Sequence, residues 1–486
     1  VATPDQMGQT GRASTCAPTS PVYPQVVAAA EEPIRTRADA LASRARILAA
    51  ARALESDRRL SMTELAAAAG VGRSTLYRHF PTREALLDAL AAEPAAEVAQ
   101  LPYQAPGRLG REGSLAVDVI HVLDEVPPHL IGDQLVAEAR RAAGVAVALY
   151  VVDLDGSRLL RLSGTDDFPA ELDAPPALGP EIVPEGLPDF YAALREQLPR
   201  CTVEPLWLRG RVIGLILCVG DPVTALADIA KQGAAALALA GDYTDFIEAA
   251  RRRKPTTAAA EVQLDLLPPR IARVTGAQIA GGLLPSYDVG GDWFDYVENR
   301  DGVWLAIADA EGTGPTAAAL SAAVLGALRA ARRSGRDLVG AVAAMDEVVA
   351  QLGRADADVT ALVARWHAPT ATLAWINRGH PPGQVVGADN EMRELTGTVG
   401  SALGTGEPAE TAVTRLDPGD RVVLVTNGIV RRPVEGGGTF GFDGVREAVA
   451  GATTAAATAM AIQRAVVSSW SEPLDDDACL IVLAVD

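Results

Sequence analysis

From residue 259 to the C-terminus the chain alternates short strand-like runs with two alanine-rich helical stretches, 315–333 and 337–352. That alternation defines the largest unit of the chain, built from both strands and helices and without internal repeat. Acidic residues recur where its runs begin or end. They stand in DVGGDWFDYV (288–297), WLAIADAEGTGPTAAAL (304–320), LDPGDRVVLVTNGIV (416–430) and DDDACLIVLAV (475–485), with WINRGHPPG (375–383) and GSALG (400–404) between. Taken alone, each is weak: GGD serves as a turn in many proteins, and strands often end in Asp. Within LVTNGIV (424–430), Asn427 and Gly428 lie between two apolar runs, the strongest short-range hairpin signal, since both residues tolerate positive φ.

With 486 residues there is room for about three domains of ordinary size. A net charge of −19 argues against nucleic-acid binding by bulk electrostatics, so any DNA contact must be local. Cys16, Cys201, Cys218 and Cys479 are scattered and form no CxxC pair, and no two histidines stand at i, i+4, so neither a disulfide framework nor a zinc site is expected. No apolar run approaches the roughly 20 residues of a membrane helix, and the first residues lack the apolar core of a signal peptide. The reading is a cytoplasmic protein with no membrane contact.

Residues 1–33, rich in Pro, Ser, Thr and Gln, read as a flexible tail, and 34–95 as a helical block. LASRARILAAARAL has apolar residues at helical spacing, and in SMTE either Ser61 or Thr63 can cap the next helix. Within TELAAAAGVGRSTLYRHFPTREALLDAL (63–90), Gly70 closes a first helix and a turn through Gly72 leads to a second. The second carries Arg73, Ser74, Thr75, Tyr77, Arg78 and His79, side chains that reach phosphates and base edges when such a helix enters the major groove. Ten arginines against seven acids over 34–93 make this stretch locally basic. AGV, TLYRHF and the following basic-then-acidic helix start resemble the DNA-binding head of tetracycline-repressor-type (TetR) regulators. The resemblance implies a three-helix helix-turn-helix domain, DNA as a partner and a homodimer.

After a linker at 96–112, residues 113–245 mix helix and strand. A helix is predicted over 115–142, then the strands VAVALYVVDL and SRLLRL, an acidic Pro-rich stretch, and WLRGRVIGLILCV turning at Arg209-Gly210. A long Ala-rich helix is predicted over about 222–253, with RRRK (251–254) as its solvated end, and 246–258 as a helical linker. The pattern resembles a GAF domain, which implies a small-molecule sensor; no residue set names its ligand. Cys201 and Cys218 read as small buried hydrophobes.

Six segments in one order make the 259–486 unit resemble metal-dependent (PPM) Ser/Thr protein phosphatases of the SpoIIE-type branch. The expected fold class is therefore a multidomain α and α+β chain, its last domain an α-β-β-α sandwich with two central antiparallel sheets. The resemblance implies a pair of Mn²⁺ or Mg²⁺ ions and phosphate monoester hydrolysis by water, without a protein nucleophile. Hard divalent cations take oxygen ligands, and several carboxylates are needed to balance their charge. Carried over, Asp292, Asp309 and Asp476 are the catalytic metal ligands, the carbonyl of Ala310 is a further ligand, and Asp295 and Asp477 either stand behind them or take their place within their motifs. His380 in GHPP reads as structural.

Two positions depart from the family. Where it has Asp-Gly after LVT this chain has Asn427, and where it has Gly-His-Gly this chain has Gly312, Thr313 and Gly314. An amide oxygen can coordinate a metal but carries no net charge, so Asn427 reads as a weakened metal ligand and the second ion's site as impaired. The functional expectation is a signalling regulator whose C-terminal domain dephosphorylates a phosphoprotein such as an anti-anti-sigma factor, coupled to a sensor and a DNA-binding head. The alternative expectation is a pseudophosphatase within a TetR-type transcriptional regulator.

Overall fold

The computed structural model describes residues 47, 51, 62–80, 82, 86 and 126–486, except 221, 224, 285–289 and 353–357. The tail at 1–33 and the linker at 96–112 lie outside the described residues. The chain divides into two compact units, 1–108 and 109–486.

In the first unit, helix Met62–Ala68 ends in a turn whose Gly70 has φ +62, and helix Arg73–His79 follows. Ile47, Leu65, Leu76, Phe80 and Leu86 make its core. Arg73 and Ser74 are exposed, as is Tyr77, whereas Thr75 and His79 are half-buried; the side chain of Arg78 lies outside the described residues.

The second unit opens with a seven-stranded sheet: β1 (Ala146–Val152), β2 (Arg158–Gly164), β3 (Glu171–Asp173), β4 (Ala177–Leu178), β5 (Glu181–Ile182), β6 (Cys201–Leu208) and β7 (Arg211–Val219). Its path is β3-β2-β1-β7-β5-β4, with β6 also paired to β7. The β6–β7 hairpin turns at Arg209 and Gly210, at φ +50 and +87, the pair of positive φ values that a two-residue hairpin of right-handed twist demands. Cys201 and Cys218 are buried in this sheet. One face packs on helices Ile131–Ala143 and Ala227–Ala240, the other on helix Leu187–Gln197.

Three details differ from the sequence reading. The described part of the first helix starts only at Ile131, after a 3-10 turn begun by Pro128, because proline cannot donate inside a helix. The long Ala-rich helix is two, Ala227–Ala240 and Phe246–Arg251, interrupted from Gly241 to Asp245. RRRK is a solvated end only in part: Arg253 and Lys254 are exposed, but Arg251 and Arg252 pair with Glu248, Arg252 also with Glu261 at 2.6 Å, and Arg253 faces Asp153 at 3.5 Å.

The rest of the unit contains two more sheets. One has the order β10-β11-β12-β13-β16 with β17 on β13: β10 (Trp293–Asn299), β11 (Gly302–Ala310), β12 (Val359–His367), β13 (Thr372–Arg378), β16 (Val399–Gly400), β17 (Ala412–Arg415). The other runs β15-β14-β18-β19-β9-β8: β8 (Ile271–Val274), β9 (Ala277–Leu284), β14 (Gln384–Val386), β15 (Met392–Glu394), β18 (Arg421–Val425), β19 (Ala478–Val485). All pairings are antiparallel except β13 with β16, which is parallel.

Phe294, Ile307, Leu362, Trp375, Leu424 and Ile481 share the core between these sheets. Outside the first sheet lie helices Gly314–Arg333 and Leu338–Leu352, within a residue of their predicted bounds. The second sheet is covered by helices Gly441–Ala448 and Ala455–Ser468, absent from the sequence reading. The latter is capped by Thr454, whose side chain accepts from Ala457 N. Helix Gly314–Arg333 is long and apolar enough by composition to cross a membrane, yet its apolar stripe, including Val324, Leu325 and Leu328, packs into the core.

The middle sheet and the C-terminal sandwich are joined inside this unit. Leu178 and Val183 enter the same core as Ile271 and Ala459. Glu181 pairs with Arg211 and accepts from Ile271 N at 2.8 Å, and Arg209 O accepts from Arg273 N.

Candidate active site

Side chains alternate between the faces of a strand, so parity along β10 and β11 decides which carboxylates can meet. Phe294 and Ile307 point between the two sheets, while Trp293 and Ala308 point to the helices. Asp292 and Asp309 have the inward parity and lie at the same end of the antiparallel pair, which joins Trp293 to Ala308. Asp295 has the opposite parity. It is buried against helix Gly314–Arg333, paired with Arg329 at 2.8 Å and Arg332 at 2.7 Å. Its expected place behind the metal ligands is therefore corrected: three residues beyond Asp292, it falls on the other face of the sheet.

From the second sheet, Asp477 precedes β19 with the parity of Cys479, which is inward. It holds the GGD loop: Gly290 N donates to both of its carboxylate oxygens, at 2.8 and 2.7 Å, and Asp292 N to one at 3.2 Å. Asp476 beside it is exposed, and its carboxylate accepts from Asp477 N at 2.9 Å. The loops touch at their backbones. A Cβ on Gly291 would lie 1.9 Å from Ala310 O, and one on Gly428 1.8 Å from Asp477 O. Only glycine fits at either position. The Ala310 carbonyl thus lies against Gly291.

Asn427 is not in a hairpin. β18 pairs with β14 and β19, and Asn427–Val430 forms a single helical turn directly after it. Tertiary pairing overrides the local turn signal here; Gly428 is required for its close approach to Asp477, not for positive φ.

The electrostatics mark these groups as one cluster. Burial raises the Asp292 carboxyl well above the usual range, and the charges of Asp309, Asp477 and Asp476 push it further; a hydrogen bond from Thr426 opposes them. Burial, then Asp476, raises Asp309 to about 6, against a hydrogen bond with Asp292 and the charge of Arg431. Burial also raises Asp477 to about 6, despite the Gly290 and Asp292 amides. Four carboxylates from three segments therefore stand close enough to resist being charged together.

Two buried oxygens at this end lack any hydrogen-bond partner, Asp292 Oδ2 and Asn427 Oδ1. Among the described residues no three His, Cys, Asp or Glu side chains form a ready coordination cluster. The donor set nevertheless fits hard divalent cations: all are oxygens, two are unsatisfied, and their mutual repulsion is what a cation relieves.

Several participants were missed from sequence. Gln263, on helix Ala258–Leu266, donates to Asp292 O and is buried. Ser321 donates to Gly291 O at 2.5 Å, and Thr426 Oγ1 accepts from Cys479 N at 3.0 Å. The one available signal is Thr426, next to Asn427 in LVTNGIV; Gln263 and Ser321 lie on helices whose partners only the fold reveals. Thr313 precedes the long helix without a side-chain cap hydrogen bond. His380 is buried, its backbone bracketed by Asn377, and burial lowers its ring to about 4, so it stands neutral. The GSALG loop is tied down by buried Arg378, which donates to Ser401 O and Ala402 O and pairs with Asp346.

Residues 299–486 match the family model of stage II sporulation protein E (SpoIIE), and residues 47–90 that of bacterial regulatory proteins, tetR family. The chain is 25% identical over 182 residues to phosphoserine phosphatase RsbU of Bacillus subtilis (strain 168), a match covering 37% of this chain and 54% of that protein. It thus spans about half the length of this curated relative. Similar solved structures include the RsbU and RsbW domains of a Mycobacterium tuberculosis protein, at 26% identity and TM-score 0.39, covering 43% of this chain and 61% of that one. The SiaA-PP2C domain of Pseudomonas aeruginosa matches at 21% identity and TM-score 0.41, covering 52% of this chain and 100% of that one.

Proposed function

We propose that this chain, with a SpoIIE-type phosphatase domain at 299–486 and a tetR-type segment at 47–90, is a signalling regulator whose C-terminal domain hydrolyses phosphoserine or phosphothreonine on a partner protein. The observation that carries this reading is the convergence of Asp292, Asp309, Asp476 and Asp477 from both sheets, with the buried oxygens of Asp292 and Asn427 unsatisfied.

Asp292, Asp309, Asp476 and Asn427 would hold Mn²⁺ or Mg²⁺. When bound, the cations supply Lewis acidity toward the phosphoryl group and lower the pKa of a water. The chain's own residues set the frame. Asp477 fixes the GGD loop through three amide contacts, and Gly291 and Gly428 let the loops close to backbone contact. Gln263 holds the Asp292 carbonyl, and Thr426 ties the start of the Asn427 turn to Cys479 of β19. Repulsion among the ionised carboxylates opposes their burial without a cation, which makes cation binding favourable and pH-dependent.

The fitting substrate class is a phosphoprotein such as an anti-anti-sigma factor, with DNA as a second partner through Arg73, Ser74, Thr75, Tyr77, Arg78 and His79 of a dimeric head. The test is release of phosphate from a phosphoserine protein across a Mn²⁺ titration, with Asp292→Asn as control. Turnover that depends on both metal and Asp292 supports the reading; none at millimolar Mn²⁺ overturns it. The DNA role is checked by selecting sequences on the full chain: it predicts a preferred fragment whose affinity falls steeply with salt, and no binding at low salt refutes it.

A further inference from the structure

Two arginines follow the helical turn Asn427–Val430, and the structure uses them differently. Arg432 is buried and donates to the carbonyls of Trp470, Glu472 and Pro473, clamping the segment that leads into Asp476 and Asp477. Arg431 caps the turn with its backbone N–H, 2.7 Å from Asn427 O, while its side chain is exposed. No hydrogen bond or ion pair of its guanidinium is found among the described residues. The turn itself is pinned to the acidic cluster by Gly428 against Asp477 O, so Arg431 stands at the cluster's mouth, where its charge acts on Asp309.

We propose that Arg431 anchors the phosphoryl dianion of the substrate, its guanidinium gripping the non-bridging oxygens at the solvent edge of the carboxylate cluster. The inference rests on the phosphatase reading and deepens it. A solvent-facing guanidinium with free donors matches phosphate in charge and in bidentate geometry. A cation placed there also opposes a metal ion at Asp309, so one side chain has effects of opposite sign on the two ligands. A merely structural residue would not separate them.

The test measures binding to the full chain by calorimetry, with Mn²⁺ alone and then with inorganic phosphate on the Mn²⁺-loaded protein. Arg431→Ala, Arg431→Lys and, as a control for bulk charge, Arg415→Ala on exposed strand β17 are compared with wild type. Arg431→Ala is expected to weaken phosphate binding about tenfold, the factor set by ~1.4 kcal/mol, while Mn²⁺ binds as tightly or more tightly. Arg431→Lys retains part of the phosphate affinity, and Arg415→Ala changes neither. Phosphate affinity within twofold of wild type in Arg431→Ala, an equal loss in Arg415→Ala, or a joint loss of phosphate and Mn²⁺ overturns the anchor while leaving the phosphatase reading in place. A wild type that binds no Mn²⁺ overturns both.

Discussion

At the scale of single residues, charge balance is what distinguishes this site. Asn427 contributes an oxygen without a charge, and that oxygen is buried without a partner. Two unit charges about 4 Å apart interact by ~4 kcal/mol at an effective dielectric of 20, part of it offset by desolvation. Asn427→Asp is therefore expected to tighten Mn²⁺ binding at least about tenfold, read by calorimetry; an unchanged affinity would place Asn427 outside the metal shell. The raised carboxyls make a second prediction, for the metal-free protein. Asp309 and Asp477 sit at about 6 in the folded chain, above their usual value of 3.8. A folded pKa above the unfolded one gives stability that is present in acid and lost as pH rises through about 6. In EDTA, Asp309→Asn should then melt higher than wild type at pH ~7.5, with the gap narrowing below pH ~6 and closing near pH ~4. Equal gaps at both pH values would contradict the clustering.

Among elements, the decisive contacts are backbone to backbone. Gly291→Ala and Gly428→Ala each press a methyl into a carbonyl less than 2 Å away, and each should cost at least ~1–3 kcal/mol in chemical denaturation. Exposed Gly326, within helix Gly314–Arg333, has nothing within 4 Å of an added Cβ. Gly326→Ala should therefore stabilise by ~0.5–1 kcal/mol, the helix preference for alanine. Element type was legible where period and length agreed: helices 314–333 and 338–352 and the Arg209-Gly210 hairpin stand where the sequence reading put them. It failed where partners outside the segment decide. Asn427-Gly428 begins a helical turn because β18 already has neighbours on both sides. Helix Ala455–Ser468 was overlooked because alanine and threonine carry little amphipathic contrast, and its stripe shows only against the sheet it covers.

For the whole molecule, the notable feature is that the middle sheet and the C-terminal sandwich form one unit with a shared core. Glu181 is the polar centre of that junction. It is buried, pairs with Arg211 and accepts the Ile271 amide. Glu181→Ala leaves a half-buried guanidinium and a backbone N–H without their partner, at ~1–3 kcal/mol. Scanning calorimetry on the full chain should show the transition of this unit split or broadened in the variant; an unshifted single transition would show that the apolar contacts of Leu178 and Val183 suffice. A junction of this kind offers a physical route by which a change in the middle sheet reaches β8 and the sheet that carries Asp477.

Residue type and position along the chain mark which side chains can do chemistry. Aspartates at strand ends and glycines beside them are local facts, readable from residue type and spacing; that Asn427 stands where a carboxylate is expected is known only through the family resemblance. Which of them meet is set by the folded sheets. Strand parity sends Asp295 to two arginines on the outer face, while Asp292 and Asp309 turn inward, and sheet pairing carries Asp477 across 185 residues to hold the Asp292 amide. Contacts of that range depend on the register of whole sheets, which no window along the chain contains.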